Sequence, residues 1–74
     1  MRFGGQLPAD LRELLVCLVA SHVGNQFEWV MHVPLAVTAG IPAAALESIR
    51  NKLVPAGLND AQQVTHDFGV ELLR

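Results

Sequence analysis

Glu28 and His32 stand four residues apart in a stretch that otherwise carries almost no charge. On a helix that spacing puts both side chains on one face and within reach of each other. A carboxylate in apolar surroundings must be paired or it holds its proton. An imidazole beside it can be moved across neutral pH. Those are the parts of general acid–base catalysis. Glu13 is a third candidate, at the head of an apolar run that also carries Cys17 and His22.

Each group also has a structural reading. Glu28 and His32 fit an ordinary surface pair worth a few tenths of a kcal/mol. Glu13 fits an exposed first-turn acid favoured by the helix dipole, and His22 fits a helix C-terminus. Cys17 fits a small core residue. Phe27 and Trp29 fit core or interface anchors, and His66 with Asp67 fits a solvated pair. A metal is not expected. Di-iron bundles carry Glu-x-x-His at i,i+3 on paired helices, whereas here the spacing is i,i+4 and occurs once.

The elements that must position these groups read as helical throughout. The pattern predicts a first helix over 8–23, with Leu11, Leu14, Leu15, Leu18 and His22 on one stripe and Val16, Val19 and Val23 on another. Beyond Glu13 that helix is apolar nearly all round, so near-complete burial is expected. Gly24 stops it, and Asn25 caps a second helix over 25–39 that ends at Gly40. Pro34 lies inside the second helix and predicts a bend or break. A third helix is expected over 42–53, with Leu46, Ile49 and Leu53 inward. A fourth starts at Asn59 with Gln62 as its capping-box partner, and Val64, Phe68 and Leu72 as its apolar stripe. No segment has a period of two. The expected fold is one all-α domain over 1–74, with a flexible segment at 1–7.

Composition narrows the function. The chain has 74 residues, of which 51% are hydrophobic and 16% charged, which excludes intrinsic disorder. Five basic against seven acidic residues give a net charge of −2, with no basic footprint for nucleic acid or an anionic membrane. The longest strictly apolar run, Leu14 to Ala20, is far shorter than the roughly 20 residues of a spanning helix. The first residues do not read as a secretory signal. A single cysteine excludes an internal disulfide and a Cys-x-x-Cys pair, so a reducing compartment, the cytoplasm, is expected. A lone core of this size rarely supplies more than about 3–5 kcal/mol, so oligomerisation is expected.

Two segments resemble a known family. The first is Arg12-Glu13-Leu14-Leu15-Val16 with Val19-Ala20. The second runs from Gly24 through Phe27-Glu28-Trp29-Val30-Met31-His32-Val33-Pro34-Leu35-Ala36 to Ala39-Gly40-Ile41. Together they resemble the carboxymuconolactone decarboxylase family, a branch of the alkyl hydroperoxidase D-like superfamily. Asp67-Phe68 and Glu71-Leu72-Leu73 look like that family's next helix. The redox branch of the superfamily carries a Glu, a Cys-x-x-Cys and a His four residues after the second Cys. Counting back from His32 puts Glu28 and Asn25 in the two Cys positions. Twelve residues before Asn25, Glu13 stands in the place of the Glu. The resemblance thus implies that the acid–base frame of Glu13 and His32 is present and that thiol peroxidase chemistry is absent.

The resemblance implies cofactor-free acid–base chemistry on a small carboxylated lactone or carbonyl compound. Glu13, Glu28 and His32 are its catalytic candidates, and the implied assembly is a homo-oligomer, trimer-based in the family. Arg2, Arg12 and Arg50 are the internal arginines available for a substrate carboxylate. The resemblance also implies further helices beyond this length, so the chain is expected to be a truncated member or a short one completed between subunits. The other class of function is a non-catalytic helical oligomerisation module.

Overall fold

The computed structural model describes residues 7–73. The segment expected to be flexible lies outside the described residues except for Leu7, which is exposed. The described chain is four helices: α1 (Ala9–Val23), α2 (Gln26–Ala39), α3 (Ala43–Arg50) and α4 (Asp60–Leu73). No strand occurs among the described residues.

The helix ends follow from local chemistry. The Asn25 side chain accepts the Glu28 N–H at 3.0 Å and caps α2. Asn59 and Gln62 exchange both bonds of a capping box, at 2.8 and 3.0 Å. The Gln62 amide has a second role. Its Nε2 donates to Asp10 Oδ2 at 2.9 Å, tying the start of α4 to the start of α1. Gly24 (φ 73°) and Gly40 (φ 116°) close α1 and α2 in left-handed turns. In these turns Asn25 N–H reaches the Ala20 carbonyl and Ile41 N–H reaches the Ala36 carbonyl, which satisfies carbonyls left open at each helix end.

The α3 terminus has the same geometry with a different residue. Lys52 N–H bonds to Ile49 O and Leu53 N–H to Ser48 O, with Lys52 at φ 62°. Lys52 therefore sits where glycine is favoured. This turn ends α3 at Arg50, so the expected inward Leu53 lies outside the helix and is 63% exposed. In contrast, α2 runs through Pro34 to Ala39 without a break.

Helix α1 is the hub, packed along α2 and α4 and more lightly against α3. The core joins Leu14, Cys17, Leu18 and Ala20 of α1 to Trp29 and Ala36 of α2 and to Ile41, Ala45, Leu46 and Ile49. Near-complete burial of α1 does not hold, since Val19 and Val23 are exposed. The face of α4 is also corrected. Val64, Phe68 and Leu72 point to solvent, and α4 packs instead through Gln62, Gly69, Val70 and Leu73. Gly69 explains that choice. A Cβ there would stand 2.9 Å from Leu18 Cδ1 and 3.1 Å from Leu15 Cδ2, so the bare backbone is what lets α4 approach α1.

Candidate active site

The two-residue link Gly24–Asn25 folds α2 back along α1, as a short helix–helix connection does. This brings together residues far apart in sequence. Glu13 comes from the second turn of α1 and His32 from the middle of α2. Glu13 Oε1 lies 2.6 Å from His32 Nδ1. On the other side of the ring, His32 Nε2 lies 3.2 Å from Glu28 Oε1. Arg12 Nε is 3.6 Å from Glu13 Oε2. All three sequence-identified candidates therefore meet in one chain of contacts, with His32 in the middle.

The environments of the two carboxylates differ. Glu13 is 7% exposed, so the exposed first-turn reading is excluded. The Glu28 side chain is 43% exposed and that of His32 27%. The 2.6 Å contact between Nδ1 and the buried carboxylate fixes the ring's orientation. Nε2, on the opposite side of the ring, faces Glu28. Glu28, at ion-pair distance and open to water, connects it to solvent. A carboxylate that orients an imidazole is an arrangement that general acid–base sites also use.

A groove of about 310 Å³ adjoins this chain of contacts. Leu15, Val16, Val19 and Val23 of α1 line it, with Asn25 and Glu28 at the start of α2. Arg12 lies on the same helical stripe as Val16, Val19 and Val23, which distinguishes it from Arg50 on the exposed side of α3. A larger cleft, of about 360 Å³, lies on another side of α1 and borders none of the three candidates.

Cys17 is one turn beyond Glu13 and fully buried. Burial first, and the Glu13 charge second, push its thiol up to about 11. A thiol so placed is protonated and inert at neutral pH. Among the described residues, no group of three or more His, Cys, Asp or Glu is arranged to hold a metal ion. Both His32 ring nitrogens already face carboxylate oxygens. No described helix is long and apolar enough to cross a membrane.

Other sequence expectations fared differently. Trp29 is buried, whereas Phe27 is 69% exposed. His66 is not solvated, with a side chain only 12% exposed, while its partner Asp67 is open to water. His22 is exposed at the end of α1. Sequence reasoning missed Lys52, whose ammonium crosses from α3 to donate to the Ser21 carbonyl and Oγ at 2.8 and 3.0 Å. Its only signal was a lysine two residues past a helix end, where glycine is usual.

No family model, curated protein or solved structure matches the chain.

Proposed function

We propose that the chain is a carboxymuconolactone decarboxylase-like protein of the alkyl hydroperoxidase D-like type, acting in the cytoplasm as a homo-oligomer. Its reaction is cofactor-free decarboxylation, or related acid–base chemistry, of a small carboxylated lactone or carbonyl compound. One observation carries this reading: the buried Glu13 carboxylate holds His32 by Nδ1 and leaves Nε2 toward Glu28, beside an apolar groove.

In this scheme the substrate ring lies among the valines of the groove, and Arg12 at the end of the stripe meets a carboxylate. The bond from ring carbon to carboxylate breaks and CO₂ leaves. The electron pair passes into the conjugated carbonyl as an enolate. His32 Nε2 delivers a proton to carbon, and Glu28, open to water, restores it. Glu13 keeps the ring aligned and stabilises its cationic form. The test is CO₂ release from a carboxylated muconolactone by the native assembly. Parent turnover with a loss of about 100-fold or more in His32→Gln supports the reading. An inactive parent, or an unimpaired His32→Gln, overturns it.

A second reading has its own observation. Phe27, Val30, Met31 and Leu35 of α2 are each at least half exposed, more large apolar surface than one helix of a monomer usually shows. A non-catalytic assembly module would use that face against its own copies. Light scattering across a dilution series reads the oligomer. A discrete assembly combined with an inactive parent favours the module.

A further inference from the structure

The larger cleft lies between the C-terminal turn of α1, the end of α3 and the second half of α4. Leu18 and Ile49, both nearly buried, form its floor, and Val70 and Leu73 form its α4 wall. Its volume of about 360 Å³ is more than twice the roughly 150 Å³ of an apolar cavity that takes benzene, so a two-ring aromatic fits. Among the described residues, the titratable groups lining it are Lys52, His22 and His66, all bases, with the Asp67 carboxylate paired to His66 at 3.0 Å.

The placement of Lys52 is the second observation. Among the described residues, the left-handed positions are Gly24, Gly40, Gly57 and Lys52. A Cβ in that conformation costs about 1 kcal/mol against glycine. What the side chain adds at that position is the pair of bonds to Ser21, which glycine cannot make. Its ammonium is held over the cleft by the Ser21 carbonyl and Oγ, and Ser21 Oγ is itself oriented by donating to Ile49 O at 3.3 Å. An ammonium has three donors, so one remains beyond the two bonds to Ser21.

We propose that this cleft is a binding site for an apolar organic monocarboxylate of about two-ring size, its carboxylate on Lys52 and its hydrocarbon body between Leu18, Ile49 and Val70. The site is separate from the Glu13–His32–Glu28 contacts and stands independently of the decarboxylase reading.

The test is calorimetric titration of the native protein with 2-naphthoate and with 2-naphthylmethanol, the second having the same body without the charge. Naphthoate binds about tenfold tighter, the difference expected of one charge-assisted bond. Backbone amide shifts confine the change to the ends of α1 and α3 and the second half of α4. Lys52→Gly, which suits the left-handed backbone and so preserves the turn, brings naphthoate down to the affinity of the alcohol. Equal affinities of the two probes in the parent overturn the proposal. So do shifts centred on the α1–α2 groove, undiminished naphthoate binding by Lys52→Gly, or no binding of either probe at millimolar concentration.

Discussion

Replacing His32 by leucine strands a buried charge, and the size of the penalty follows from what remains around Glu13. The carboxylate is 7% exposed. Breaking a buried pair from one side costs about 3–5 kcal/mol. Arg12 stays 3.6 Å away, but its side chain is 54% exposed, and a pair that open to water contributes at most about 1 kcal/mol. His32→Leu should therefore destabilise by about 2–3 kcal/mol. The reverse change, Glu13→Leu, leaves only a partly exposed imidazole that water can reach, and should cost about 1 kcal/mol. With both residues changed, no charge is stranded, and an apolar pair of similar volume is often neutral or stabilising. The cycle should thus close with a coupling of about 3–4 kcal/mol. A domain of this size has roughly 4–11 kcal/mol in all, so His32→Leu alone lowers Tm by roughly 10–20 °C. The assay is thermal and urea unfolding by circular dichroism at one fixed protein concentration, because any oligomer adds its own concentration dependence. Equal single-mutant losses that add to within about 0.5 kcal/mol would refute the reasoning, since Glu13 would then not depend on His32.

Two further outcomes test the packing around α1. Cys17, raised from 9.0 to about 11, should react with iodoacetamide at least about 100-fold more slowly in the folded protein than in urea at pH 8. A native rate within about tenfold of the unfolded one would contradict its burial. Because the folded thiol lies above its unfolded value, its contribution to stability is complete below pH 9 and fades as pH rises through about 11. Alkaline titration should therefore lower Tm less in Cys17→Ala than in the parent. Gly69→Ala should destabilise by about 1 kcal/mol despite the better helix propensity of alanine, because overpacking costs about 1–3 kcal/mol against a propensity gain of about 1. An increase in Tm would show that Leu15 and Leu18 yield at no cost.

Signals carried by two or three neighbouring residues survived folding unchanged. Asn25, the Asn59–Gln62 box, Gly24 and Gly40 all act where the pattern placed them, because capping is local chemistry. The direction of a helix face is not local. Val64, Phe68 and Leu72 have faultless helical spacing, but α4 turned them outward because Gly69 offered α1 a closer approach. The end of α3 was hidden for a different reason: Lys52 takes a conformation whose usual marker is glycine. Glu28 and His32 were legible as a pair from their spacing alone. Glu13 lies nineteen residues from His32, and no periodicity within α1 points to a partner on α2. The family resemblance set them in one frame, and the hairpin at Gly24–Asn25 brings their atoms to bonding distance.

The surplus of apolar residues on α1 is divided between the core and the surface. Ten hydrophobic residues close the core, and Val16, Val19 and Val23 lie outside it. The same three valines line the groove beside Glu28, with Arg12 at the head of their stripe. The all-round apolar pattern that reads as burial in the sequence is therefore two surfaces on one helix: a core face through Leu14, Cys17 and Leu18, and a groove face through Val16, Val19 and Val23. Glu13 lies beside the core face and Arg12 on the valine stripe, one residue apart. That single step along α1 puts a buried carboxylate against His32 and an exposed guanidinium 3.6 Å from the same carboxylate. Under the proposed reaction, the group that fixes His32 and the anchor for an anionic substrate would thus be adjacent residues of one turn.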